Sequence, residues 1–368
     1  MIFKNSQKLE EKIIMNRWKI LIRLTAIAIC VLLVVSSIFA GTGQRRGTAG
    51  AQELLIPVGS VGTALGGANL ANVSGIEAIF WNPAGLAAST VTTEVMFSHL
   101  SYIADINVNY VAGNYNAGGF GALGFSIKSI GIGDIAVTTN NSPDGTGEMF
   151  SPTFLTLGLT YSRAMTDKIH FGTNLKLITE SMLGMSTNGL AFDFGLQYDT
   201  GMGVKGGIAL KNLGPNMNFN GTDAEVFTKD QSDRPDAEGE NLRIPLASFD
   251  LPTLFEIGLS YQYNINESNN VTVMGTFMND NNALDEYRVA AEYNFNNLIF
   301  LRGSYQFGYD ADEEQFRTSD ADYFLWGPSF GAGINLNLGT NVELRLDYAY
   351  RLTELFNDNQ WFTVRLGF

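Results

Sequence analysis

The chain has 368 residues, with 23 Lys and Arg against 37 Asp and Glu, a formal charge of −14, and 45% hydrophobic and 12% aromatic side chains. So acidic a balance argues against a nucleic-acid partner, which calls for a basic face. After residue 40 no apolar run is long enough to cross a bilayer as a helix, so the hydrophobicity comes in alternation, the pattern of a membrane β-barrel.

In chain order, residues 1–40 read as a secretory signal peptide. Lys4, Lys8, Lys12, Arg17, Lys19 and Arg23 precede an uncharged run from Leu24 to Ala40, with Ile38 and Ala40 placed for cleavage. Met15 opens a conventional signal by itself and is the alternative to Met1 as the start. Cys30, the only cysteine, lies in the apolar run and is expected to leave with it. A mature chain without thiols fits a Gram-negative periplasm or outer membrane. Removing residues 1–40 takes away six basic and two acidic side chains, leaving 17 against 35 and a formal charge of −18.

Residues 41–91 are rich in Gly and Ala and offer few candidates for lipid-facing strands. Small residues pack closely, and a wide barrel encloses more space than its own side chains fill, so a hatch or plug inside the lumen is expected here.

Residues 92–368 then predict a 14-stranded antiparallel transmembrane β-barrel, with strands at about 92–103, 105–115, 119–131, 152–164, 167–180, 188–199, 203–213, 252–264, 269–279, 285–295, 298–309, 324–337, 341–352 and 359–368. In the thirteenth, Val342, Leu344, Leu346, Tyr348, Tyr350 and Leu352 are set to face lipid, while Glu343, Arg345, Asp347, Ala349 and Arg351 face the lumen. The even-numbered connections are brief and the odd-numbered ones include 132–151, 214–251 and 310–323. That parity puts both termini in the periplasm and the long loops outside. The loops are acidic: 214–251 holds eight Asp or Glu against three Lys or Arg. No calcium-loop spacing of the EF-hand type occurs in them, so a solvated surface is the reading.

Two further segments carry expectations. In the third strand Gly119, Gly121 and Gly124 lie close together, and glycine tolerates a bend, so this strand is where a lateral gap in the wall is expected. The last strand sets Phe362, Val364, Leu366 and Phe368 on one face and ends on an aromatic carboxyl terminus, the kind of signal the barrel-assembly machinery reads.

Other patterns carry less. The run from Gly119 to Gly124 fits a dinucleotide fingerprint but no helix follows it. His99 and His170 lie on separate predicted strands with no second His or Cys nearby, which gives no metal ligand set. His170 faces the lumen and is the sole candidate for a surface hydrolase. No catalytic, cofactor-binding or metal residues are assigned.

The run Ala49-Gly50-Ala51-Gln52-Glu53-Leu54-Leu55-Ile56-Pro57-Val58-Gly59, followed by Phe80-Trp81-Asn82-Pro83-Ala84-Gly85-Leu86, resembles the N-terminal signature of the PorV/PorQ family of outer-membrane proteins. That family belongs with the FadL-type fatty-acid transporters, whose hatch carries a similar Asn-Pro-Ala element. The resemblance implies a hatch motif at Trp81, Asn82, Pro83, Ala84 and Gly85. It also implies a non-enzymatic barrel serving type IX-like protein secretion, with a translocon and cargo proteins as partners. The alternative it implies is a FadL-like channel that takes apolar small molecules through the barrel wall.

Overall fold

Alternation of apolar and polar side chains leaves each strand one face for lipid and one for the lumen, and a sheet with no free edge satisfies every backbone group. The computed structural model closes such a sheet; it describes residues 49–228, 240–310, 314–318, 325–339, 342–354 and 356–368. The expected signal peptide, with Met15 and Cys30, lies outside the described residues.

The barrel strands are β1 (Thr93–Ser101), β2 (Asn107–Asn116), β3 (Ala122–Gly131), β4 (Thr153–Ala164), β5 (Ile169–Met182), β6 (Met185–Asp199) and β7 (Val204–Leu213). They continue as β8 (Leu254–Asn264), β9 (Asn269–Asp280), β10 (Asp285–Phe295), β11 (Ile299–Asp310), β12 (Trp326–Asn337), β13 (Glu343–Thr353) and β14 (Asn359–Gly367). Sequential neighbours pair antiparallel throughout, and β14 returns to β1 from Glu94↔Gly367 to Ser101↔Gln360. Every predicted strand falls within three residues of an observed one. The largest differences are informative. The third strand starts at Ala122, because Gly118–Phe120 forms a 3₁₀ turn. The sixth starts at Met185, because Leu183, at a φ of 52°, and Gly184 make a two-residue hairpin.

Each of the fourteen strands exposes at least one large apolar side chain, from Phe97 on β1 to Phe362 on β14. A continuous belt of this size belongs against lipid. On β13, Leu346 and Leu352 face out while Asp347, Ala349 and Arg351 are buried in the lumen, as the alternation predicts.

The terminal strand locks the closure. Phe368 donates its N–H to the Thr93 carbonyl at 2.8 Å and accepts from the Thr93 N–H at 3.2 Å. Its side chain, with those of Phe362 and Val364, lies on the outer face. Deleting Phe368 removes both closing bonds. Outer-membrane levels of the heat-modifiable barrel are expected to fall several-fold, and wild-type levels on gels would sink this reading of the terminus.

Inside the lumen, residues 49–91 fold into short helices and turns: 3₁₀ turns at Gln52–Leu55, Ala68–Ala71, Gly75–Glu77 and Pro83–Ala88, and helices α1 (Ser60–Ala64) and α2 (Ala78–Trp81). They touch many strands. Trp361 on β14 donates to the Pro57 carbonyl at 3.2 Å, Thr276 on β9 to Ala68 at 3.2 Å, and Gln197 on β6 to Leu70 and Val73 at 3.1 and 3.0 Å.

Candidate functional site

The Asn-Pro-Ala element is seated in a dent made by two glycines. Gly172 on β5 and Gly195 on β6 are register partners. A Cβ on Gly172 would lie 2.2 Å from the Pro83 carbonyl carbon, and one on Gly195 would lie 2.1 Å from Asn82 Oδ1. Only glycine admits the hatch backbone so close to the wall. Asn82 is fully buried and completely occupied: Nδ2 donates to the Leu70 carbonyl at 2.9 Å and to Leu196 on β6 at 3.4 Å, and Oδ1 accepts from the Ala84 N–H at 3.2 Å, capping the turn that Pro83 opens. Ser162 on β4 donates to the Ala84 carbonyl at 2.9 Å. Trp81 donates to the Val58 carbonyl at 3.1 Å and lies on Gly62, and Gly85 packs against the Val73 carbonyl.

Between this hatch and the long loops lies a cavity of about 530 Å³, a volume typical of small-molecule sites. Phe80 and Trp81 of the hatch contribute to its floor. Tyr102, Ile106, Ile130, Ile132 and Phe154, joined in one apolar cluster, form a side wall. Trp326 and Arg351 border it, the guanidinium lying 5.3 Å from the Trp326 ring and 5.4 Å from the Trp361 ring.

Several charged side chains around the floor are paired inside the protein. Lys176 pairs with Asp193 at 2.7 Å, Lys211 with Glu256 at 2.8 Å, and Arg288 with Glu286 at 2.7 Å and Glu256 at 3.3 Å. Lys128 donates to the Glu53 and Ile56 carbonyls at 2.6 and 2.5 Å, and its ammonium lies 5.1 Å from the Phe80 ring centre. Lys128 thus holds the hatch, and it and Lys211, 5.6 Å from the Phe80 and Trp81 rings, lie against aromatic faces of the hatch.

A second cluster lies beneath α1. Asp347, with no side-chain exposure, accepts from Arg302 at 2.8 Å and Arg365 at 3.1 Å and lies 3.2 Å from Arg345; Arg302 also meets Glu292 at 2.6 Å. Glu77 of the hatch is near this group. Burial pushes its carboxyl above the ordinary glutamate range, although Arg365 pulls the other way. Glu77 Oε2 accepts the Gly62 N–H at 3.1 Å while Oε1 has no partner. A carboxyl whose folded pKa is raised stabilises below its unfolded value and loses that contribution as pH rises through the folded one. Hatch protection from protease should therefore weaken as pH rises across that window. Glu77→Gln should flatten the dependence; an unchanged slope would sink the assignment.

The three glycines of the third predicted strand do three different things. Gly119 stands in open space in the turn, and Gly121 has a φ of 116° with a would-be Cβ 2.5 Å from the Ser162 carbonyl. Gly124 faces inward against Ile79 and Leu86 of the hatch, 2.9 and 3.0 Å from its would-be Cβ. β3 pairs along its whole length with β2 and β4, so these glycines do not part the wall in this conformation. His99 Nδ1 lies 2.8 Å from Asn109 Oδ1, and His170 is lumen-side near Lys205 and Asp199. Among the described residues no group of His, Cys, Asp or Glu is arranged to hold a metal ion.

Sequence reasoning missed the Gly172–Gly195 dent and the masked cations. The signal was present as glycines and lysines at lumen-facing positions, but which strand partners they meet depends on register.

Fold and lumen together define a 14-stranded antiparallel transmembrane barrel with an N-terminal hatch. No protein-family model matches the chain, and no curated protein is similar to it in sequence. Among solved structures it is similar to the Pseudomonas putida toluene transporter TodX, with a TM-score of 0.53 at 11% identity over 84% of this chain and 96% of that one. It is also similar to the Ralstonia pickettii toluene transporter TbuX, with a TM-score of 0.51 at 14% identity over 84% of this chain and 98% of that one. At these identities the likeness concerns the fold.

Proposed function

We propose that the chain is a non-enzymatic outer-membrane channel for apolar small molecules, with both termini in the periplasm. The carrying observation is the cavity of about 530 Å³ between the long loops and the hatch, walled by Tyr102, Ile106, Ile130, Ile132 and Phe154. On its lining Lys176, Lys211, Arg288, Glu256 and Glu286 are already paired within the protein, so a neutral apolar guest breaks none of these ion pairs. The two barrels similar in fold bear the name toluene transporter, which supports the same class of solute. Cells carrying the barrel should take up labelled toluene faster than cells without it. Ile130→Asp, which puts a charge in the apolar wall, should cut that uptake about ten-fold or more while leaving the barrel heat-modifiable. Equal uptake with and without the barrel would end this reading.

One observation favours the secretion reading drawn from the 49–87 signature. Leu242, Ile244 and Leu246 stand exposed on the loop between β7 and β8, where a protein partner can reach them. A pull-down with this loop trimmed tests it: loss of a translocon or cargo protein from the intact-chain sample favours secretion, and identical samples count against it.

A further inference from the structure

One corner of the cavity is acidic. Glu53, in the 3₁₀ turn Gln52–Leu55 of the hatch, and Glu180, two residues before the end of β5, both line it. They are 8% and 4% exposed, and Oε1 of each is buried without a hydrogen-bond partner. The two carboxyls lie within hydrogen-bond reach of one another, so acceptor faces acceptor with no donor between them. Thr187, the register partner of Glu180 on β6, adds a third buried oxygen without a partner. Buried oxygens of this kind are costly unless something donates to them.

The cations nearby are committed elsewhere. Lys128, two strands away on β3, acts on Glu53 from a distance, but its ammonium is held by the Glu53 and Ile56 carbonyls at 2.6 and 2.5 Å. That grip fixes the turn and sets the Glu53 side chain beside the wall. Lys176, four residues before Glu180 on the same strand, is taken by Asp193 at 2.7 Å. Arg351 stands on β13, six strands round the sheet from β5, and donates to Ser329 at 3.1 Å. Leu54 and Ile178, beside the two acids in sequence, belong to one apolar cluster and offer no donor either.

The acidic corner adjoins the apolar wall. Glu180 is the register partner of Phe154, and Phe154 of Ile130, so acid, aromatic ring and aliphatic chain form one row across β5, β4 and β3. A guest lying along that row sets an apolar body on Phe154 and Ile130 and its head at the carboxyls. The head that matches is a primary ammonium, which brings three N–H donors to three unpartnered oxygens and a positive charge to two acids. A carboxylate head would bring one more acceptor and a like charge. Loop 214–251, with eight Asp or Glu against three Lys or Arg, also draws cations toward the end of the barrel where the cavity lies.

We propose that Glu53 and Glu180 form the head-group subsite of the cavity and select solutes that carry a primary ammonium on an apolar body. The role of this subsite in uptake rests on the reading of the barrel as a channel; the subsite itself rests on the two carboxyls.

Titration calorimetry on the reconstituted full barrel tests it with three probes of similar size, 2-phenylethylamine, 2-phenylethanol and phenylacetate. The amine should bind about ten-fold or more tighter than the alcohol, and the carboxylate more weakly than the amine. Glu180→Gln and, separately, Glu53→Gln keep the side-chain shape, and each should cut the amine's advantage about five-fold or more. Glu343→Gln, exposed at the start of β13, should leave it unchanged. The ranking of the three probes on the wild-type barrel needs no variant to fold. Equal affinity for amine and alcohol, tighter binding of phenylacetate than of the amine, or an unchanged preference in both heat-modifiable Gln variants would overturn the subsite. Uptake of labelled toluene by cells carrying the barrel separates the two readings. Toluene uptake without a preference for the amine leaves the channel and removes the subsite. Amine binding that depends on Glu180, without toluene uptake, leaves the subsite and removes the channel.

Discussion

Asp347→Ala is expected to be the most damaging single substitution in the barrel wall, lowering stability by about 3–5 kcal/mol. Asp347 is the shared partner of Arg302, Arg345 and Arg365, at 2.8 to 3.2 Å, and its side chain has no exposure. Its removal leaves three guanidinium groups together, with Glu292 on Arg302 as the remaining close partner. Glu77 and Glu94 act on Arg365 from a distance. Asp347→Asn keeps the shape and one acceptor oxygen but not the charge, so it should be damaging to a lesser degree. Asp199→Ala, which breaks a half-exposed pair with Lys205 at 3.1 Å, is the control and should cost less than about 1 kcal/mol. Urea unfolding of the reconstituted barrel, followed by loss of heat modifiability, ranks the three. A wild-type midpoint for Asp347→Ala would show that the arginines are solvated from the lumen and that the cluster contributes nothing.

The barrel was legible in the sequence because its strongest signals are local. Alternation with period two decides which side chains of β13 see lipid, and it places Leu346 and Asp347 on opposite faces whatever the neighbouring strand does. Turn chemistry is also local, which is why brief connections such as 200–203 and 296–298 were found at one end of the barrel. Where strand starts were misjudged, the cause was a glycine or hairpin choice that alternation does not encode: Gly118–Phe120 turns where the pattern continues, and Leu183 adopts a left-handed conformation that its side chain does not advertise.

The lumen was less legible, because its contacts join residues far apart in the chain. The Asn-Pro-Ala element could be singled out, yet its seat consists of Gly172 and Gly195, which become neighbours only through the β5–β6 register. The glycine-rich third strand suggested an opening in the wall. In this structure β3 pairs with both neighbours and Gly124 accommodates Ile79 and Leu86 of the hatch.

Asn82→Ala should unseat the hatch and open the lumen to ions. The substitution removes the cap on the 83–88 turn and leaves the carbonyl of Leu70 with one donor fewer, both in a region with no access to water. A lost cap costs about 1 kcal/mol, and the Leu70 carbonyl, which keeps Gln197 as a donor, loses one ordinary hydrogen bond of about 0.5–1.5 kcal/mol, so roughly 1–3 kcal/mol of hatch anchoring is at stake. The barrel ladders do not include Asn82, so the wall should remain assembled and heat-modifiable while the segment it encloses loosens. In planar bilayers the wild-type barrel is expected to conduct little, and Asn82→Ala to show frequent openings with mean conductance raised several-fold. Gly172→Ala approaches the same seat from the wall side, since its methyl would meet the Pro83 backbone carbonyl, and should give the same openings with the Asn82 side chain still present. Openings in one variant only would assign the effect to the cap or to the wall contact separately. A large, constant conductance already present in the wild type and unchanged in both variants would mean that residues 49–91 do not block the lumen at all.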